Sequence, residues 1–246
     1  MPLNKRTDQR SLSPFEGARL LEMTSKATGS SMLTVSDVTV EPGFKFFYHM
    51  HPNTEESIFV VGGEMEFRVG DRRFRAGSGD CVLTPRGVGH GIENVGSAPA
   101  RLITIFPTAA PEREVIPEPG FTDAEPEKGF FKRSSATAYE FRPGISRFDM
   151  VGDFLGSEST YLSELTFQPG AVAPNHYHPA HEESMFCLDG KLNGVYREDN
   201  DVPLSAGDMF TCEIGVRHGI FNGSNGVSRL LAIHPVLNPP PRVDVP

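Results

Sequence analysis

Short apolar and β-branched runs, each bounded by Gly, Pro or Asp, recur along the chain at 57–61, 64–69 and 101–106 and again at 184–188, 191–196 and 229–234. This pattern predicts many short strands joined by tight turns and no long helices. Composition agrees, with 25 Gly, 21 Pro, 18 Phe and no Trp in 246 residues. The length suits two compact units of about 120 residues each.

The two sets of runs belong to an internal repeat. Glu41-Pro42-Gly43 and His49-Met50-His51-Pro52 return as Gln168-Pro169-Gly170 and His176-Tyr177-His178-Pro179, 127 residues later. From Gly79-Asp80 onward the offset is 128, so one residue is inserted between the blocks. The expected division is an N-terminal arm at 1–20, a first barrel at 21–110, a connector at 111–144, a second barrel at 145–237 and a Pro-rich tail at 238–246. The arm carries Leu12, Phe15 and Leu20, so it is expected to pack on the other barrel or on a second subunit. The tail should be extended, because a proline run cannot pair in a sheet.

Within each repeat the chemistry-bearing residues keep fixed gaps. The first has Gly43, His49, His51, Glu56 and Gly63, then Gly79, Pro85, Gly87, His90 and Asn94; the second has Gly170, His176, His178, Glu183 and Gly190, then Gly207, Glu213, Gly215, His218 and Asn222. Side chains alternate across a strand, so a His-x-His pair sends both imidazoles to one side, and the Glu opens the next strand. Six of eight histidines fall on these positions, a spacing that ordinary packing does not produce twice.

These motifs resemble the two sequence motifs of the cupin family, across both halves of the chain. The resemblance implies an all-β fold of two tandem cupin barrels, of the double-stranded β-helix or jelly-roll type. It implies one divalent transition metal per barrel, held by His49, His51, Glu56 and His90 in the first and by His176, His178, Glu183 and His218 in the second. Fe, Mn, Ni, Cu or Co suits such a set, with Fe or Mn favoured. Glu213 departs from the family pattern, which has proline there, as Pro85 does in the first repeat.

The other chemical candidates are secondary. Ile58 and Val60 share the face of Glu56, as Met185 and Cys187 share that of Glu183, and with Phe106 they are expected to line the cavities. His234 stands where the first repeat has Phe106 and is the candidate general acid or base, which makes the second barrel the favoured catalytic half. His181 reads as a solvated loop residue. Cys81, Cys187 and Cys212 are far apart and odd in number, which fits buried thiols rather than disulfides.

Charge and termini narrow the classes. The net charge is -9 with no basic run, so nucleic acid is not expected as a partner. No signal peptide or apolar run of about eighteen residues appears, so no membrane partner is expected and a soluble, cytoplasmic protein is, as a homo-oligomer. Two open positions on a six-coordinate ion suit a small metal-chelating organic substrate. The leading expectation is an O2-using oxidoreductase of dioxygenase or oxidase type, because the ligand set resembles that of cupin oxygenases and oxalate-type enzymes. The alternatives are a redox-neutral isomerase, decarboxylase or hydrolase, and a non-catalytic sugar- or ligand-binding cupin.

Overall fold

The structure, a computed structural model, describes residues 3–198 and 200–245. Each repeat folds into two facing sheets. In the first, strands Ala18–Thr24, Thr34–Val40, Ala100–Phe106, Glu56–Gly62 and Cys81–Thr84 lie side by side in one sheet. His49–Met50, His90–Asn94, Met65–Val69 and Arg72–Ala76 form the facing sheet. The second repeat matches it, with Ile145–Val151, Tyr161–Phe167, Ser228–His234, Glu183–Asp189 and Met209–Cys212 facing Val172–Tyr177, His218–Phe221, Lys191–Tyr196 and Asn200–Ser205. This is the jelly-roll arrangement twice over.

Three apolar cores explain why the central strands do not alternate in burial. Along Glu56–Gly62, Ile58 and Val60 point into their own barrel with Phe67 and Leu102, whereas Phe59 points the other way. Phe59, Leu83, Ile103 and Ile105 meet Phe186, Leu231 and Ile233 in a core shared by the two barrels. A strand buried on both faces reads as a continuous apolar run.

Two reciprocal carboxylate contacts fasten this interface. Buried Glu55 accepts hydrogen bonds from Ser157 Oγ (2.6 Å), Glu158 N (2.8 Å) and Ser159 N (3.1 Å) of the second repeat. Buried Glu182 accepts from Ser30 Oγ (2.6 Å), Ser31 N (2.7 Å), Ser31 Oγ (2.6 Å) and Met32 N (3.2 Å) of the first. Each of these acids precedes a candidate ligand glutamate in sequence, so each ligand loop is anchored on the opposite barrel.

The segments outside the repeats are built into the barrels. Leu3–Asn4 pairs with Met209–Cys212, and Ser11–Phe15 pairs with Ala18–Thr24, a strand that begins inside the stretch assigned to the arm. The connector wraps the first barrel before crossing: Glu114–Val115 pairs with His49–Met50, and Phe130–Phe131 with Cys81–Thr84. After Asn238, a non-Gly residue with φ 48, residues 239–241 lie outside any strand, and Val243–Asp244 then pairs with Val172–Tyr177. No described helix is long and apolar enough to cross a membrane.

Candidate metal centres

Antiparallel register brings each ligand set together. His90 sits directly opposite His49, and His218 opposite His176, with ring centroids 4.2 and 4.4 Å apart. Glu56 and Glu183 open strands of the facing sheet and reach across the barrel mouth. The motif glycines allow the intervening turns: Gly63 and Gly190 have φ of 95 and 77, and a Cβ there would lie 2.5 Å from the Ala100 Cβ and 2.4 Å from the Ser228 Oγ.

In the first barrel three backbone carbonyls fix the rings. His49 Nδ1 donates to Phe47 O (3.0 Å), His51 Nδ1 to Glu112 O (2.5 Å) and His90 Nδ1 to Val88 O (3.1 Å). A neutral ring so committed carries only a lone pair at Nε2. Two of those lone pairs face one carboxylate oxygen, Glu56 Oε2, which lies 2.8 Å from His90 Nε2 and 3.4 Å from His51 Nε2, and His49 completes the group of ligand atoms within 4.8 Å. Acceptor facing acceptor is repulsive unless each ring takes a second proton or one cation sits among them, and the chemistry of the set fits a cation. Burial alone would raise the Glu56 carboxyl, but His51 and His90 hold it well below the usual range. Burial and the neighbouring His90 push His49 down to about 3, leaving it neutral and available as a ligand.

The second barrel repeats this with one difference. His176 Nδ1 donates to Pro174 O (2.9 Å) and His218 Nδ1 to Val216 O (2.8 Å), while Glu183 Oε2 lies 2.9 Å from Nε2 of both His178 and His218. His178 Nδ1, however, is buried with no partner. The Glu183 carboxyl stands well below its usual range, because the surrounding imidazoles outweigh the upward push of burial. In each barrel the four ligand atoms lie within 4.8 Å of one another.

The cavities above the two sets differ. The first, of about 380 Å³, is walled by Phe15, Phe44, Phe46, Ile58 and Phe106, with Arg113 at its side. The Arg113 guanidinium lies over the Phe46 ring, 5.1 Å from its centroid. The second, of about 400 Å³, is lined by Tyr161, Met185 and His234 and also by Arg147, Arg242 and the 238–241 segment. Arg242 Nη2 is buried without a partner while its Nε pairs with Asp244 at 2.8 Å. Burial and the nearby Arg142 charge lower the Arg242 pKa, a sign that an anion would be welcome there.

Several expectations change with the structure. Val60 and Cys187 share the inward face but are fully buried in the barrel cores, below the cavities, whereas Ile58, Phe106 and Met185 do line them. Burial and Asp208 push the Cys187 thiol up to about 12, so it is inert. His181 is not solvated: it is wholly buried, its ring centroid 4.4 Å from that of His178 and tilted 34° to it, with Nε2 3.2 Å from His234 Nδ1. His234 reaches to 3.7 Å from Glu183 Oε1, and burial pushes its pKa down to about 3, so the ring is neutral near neutral pH. Glu213 turns to Tyr196, whose hydroxyl donates to it at 2.7 Å. Asn94 and Asn222 tie turns rather than meet ligands, each amide donating to two backbone carbonyls.

Arg147, Arg242 and Arg113 were not anticipated. A signal for two of them exists: Pro111-Glu112-Arg113-Glu114-Val115-Ile116-Pro117 is echoed by Pro240-Pro241-Arg242-Val243-Asp244-Val245-Pro246, a further repeat in which the arginine precedes the added strand.

Comparison with known proteins agrees with the doubled architecture. The family described as "Cupin domain" matches residues 36–106 and 163–234. The tetracenomycin polyketide synthase protein TcmJ of Streptomyces glaucescens is 28% identical over 104 residues, which is 42% of this chain and 67% of that protein. Oxalate decarboxylase OxdC of Bacillus subtilis (strain 168) is 36% identical over 74 residues, 28% of this chain and only 19% of OxdC. Among solved structures, the formate complex of Lactobacillus farciminis oxalate decarboxylase superposes with a TM-score of 0.82 at 16% identity, over 100% of this chain and 88% of that one, a likeness of fold.

Proposed function

We propose that this chain, which belongs to the cupin family in both of its halves, is a metal-dependent enzyme whose second barrel takes a small carboxylate-bearing substrate through a redox-neutral reaction of the decarboxylase type. The observation that carries this reading is the buried, unpartnered Nη2 of Arg242 in the same cavity as the His176, His178, Glu183 and His218 set. A desolvated guanidinium N–H without an acceptor is costly, and a substrate carboxylate supplies one. The oxygen-using reading led at the level of sequence motifs. The oxalate decarboxylases among the relatives and the cationic cavity move the balance to the redox-neutral alternative.

A divalent ion bound by the four ligands, such as the Mn(II) named for B. subtilis oxalate decarboxylase, supplies Lewis acidity to substrate oxygens. The chain's own residues do the rest. Arg242 and Arg147 hold the carboxylate, while Leu165, Leu230 and Met185 wall the cavity with apolar surface. The 238–241 segment closes it from the side, limiting water around the carboxylate, whose C–C electron pair stays with the adjacent carbon as neutral CO2 leaves. The carbon freed of CO2 takes a proton from solvent.

The test is CO2 release from a panel of small mono- and dicarboxylates by manganese-loaded protein, with dissolved oxygen followed in parallel. CO2 without net oxygen consumption supports the proposal; oxygen uptake in proportion to turnover returns the oxidoreductase reading. A second reading concerns the first barrel. Its aromatic wall suits a bulkier apolar substrate, in keeping with a relative named as a polyketide synthase protein.

A further inference from the structure

We propose that the second barrel holds a second cation beside its three-His-one-Glu set, at a nitrogen-only site formed by His178, His181 and His234. One nitrogen from each of the three rings lies within 4.8 Å of the others, and all three side chains are buried. His178 belongs to both sets and has a nitrogen for each. Its Nε2 faces Glu183 at 2.9 Å, and its Nδ1 is the buried atom without a partner.

The first barrel shows what this site replaces. There His51, the counterpart of His178, spends its Nδ1 on Glu112 O, and Thr54 and Phe106 stand where the second barrel has His181 and His234. Thr54 turns its hydroxyl to Glu55 O (3.0 Å), and the Phe106 ring packs against His51 with no nitrogen to offer. In the second barrel the carbonyl tether is gone and two imidazoles have arrived together. His181 Nε2 and His234 Nδ1 are 3.2 Å apart. Two imidazoles sharing one tetrahedral ion with bonds of about 2.0–2.1 Å place their nitrogens about 3.3 Å apart. A hydrogen bond between the two rings accounts for the same contact but leaves His178 Nδ1 without a protein partner; a cation engages all three.

Three imidazoles without a carboxylate select a borderline ion such as zinc or copper over manganese, magnesium or calcium. The two sites of this barrel therefore differ in the metal they prefer. With both filled, His178 bridges two ions as an imidazolate, and the second ion displaces one proton from its Nδ1 into solvent.

The site shares His178 with the centre of the proposed function, and the experiment separates the two. Chelator-treated protein is titrated with Zn²⁺, and bound metal is counted after desalting. Wild type should bind three equivalents, and His181→Thr and His234→Phe two each. These variants carry the residues of the first barrel, so the same framework accepts them. With Co²⁺, an intense visible band of four-coordinate cobalt should be present in wild type and absent from both variants. Two equivalents in wild type, or three retained in both variants, overturns the proposal, and the wild-type count needs no variant to fold. His176→Ala reads the other centre. A loss of one equivalent in His176→Ala and none in His181→Thr leaves the proposed function standing and removes this site; the reverse pattern does the opposite.

Discussion

The two barrels carry the same four ligands at the same gaps, and they differ in the tether of one histidine and in the walls of the cavity. In the first, the ring of His51 is pinned by a carbonyl of the connector, the cavity wall is aromatic, and Arg113 is occupied by the Phe46 ring. In the second, His178 is untethered, two more histidines crowd it, and Arg242 has a hydrogen-bond donor to spare. Ligand sets fix where a metal can sit. Lining and outer contacts decide what is done with it, and these diverge first after a duplication because they do not hold the fold.

The largest effect should come from emptying one centre at a time. His176→Ala with His178→Ala should take CO2 release to background, while His49→Ala with His51→Ala leaves it near wild type. Each pair should lower manganese content by about half, since each set is local to its barrel. Loss of turnover in the first-barrel variant would instead place the reaction there. Arg242→Gln sharpens the same contrast at lower amplitude. Losing a charge-assisted contact of about 1.5–3 kcal/mol should raise KM for a carboxylate roughly tenfold to a hundredfold, with manganese content unchanged. Arg113→Gln should leave that KM alone.

Stability should treat the barrels as equals where the structure does. Glu55→Ala and Glu182→Ala each strand buried donors of the opposite barrel. Each should cost about 1–3 kcal/mol in urea unfolding, and a markedly unequal pair would mean that the interface is one-sided.

A smaller effect is expected from pH in chelator-treated protein. Burial, first of all, depresses His234 to about 3, His181 to about 4 and His49 to about 3, from an ordinary 6.5. Between pH 6.5 and about 4 the unfolded chain therefore binds protons that the folded one refuses, so stability falls as pH falls through this window. Two of the three groups are in the second barrel, and the slope of melting temperature against pH should flatten in His234→Phe and not in Arg113→Gln.

Much of this was legible in the sequence. The ligand histidines were readable because the repeated motifs resemble those of the cupin family; the two-residue period by itself says only that each His-x-His pair shares one side of its strand. The strands were readable because glycine and proline punctuate them. Cavity lining was harder: period two tells which face Val60 and Cys187 share with the ligands, but not how far down the barrel the cavity reaches. His181 looked solvated because it is polar and lies between strands, and only the packing of His234 and His178 around it removes water. Arg147 and Arg242 depend on a connector and a tail folding back over a barrel, contacts that local pattern does not encode, although the echo of Arg113 in Arg242 pointed that way.

The pairing of Leu3–Asn4 with Met209–Cys212 bears on how the chain is made. Leu3 pairs with Phe210, so the strand Leu3–Asn4 has no place to dock until the second repeat has left the ribosome. The corresponding strand of the first barrel, Cys81–Thr84, is covered much sooner, by Phe130–Phe131. The outer edge of the second barrel is thus closed by a strand from far earlier in the chain, and deletion of Leu3–Asn4 would leave that edge open to strand exchange between copies.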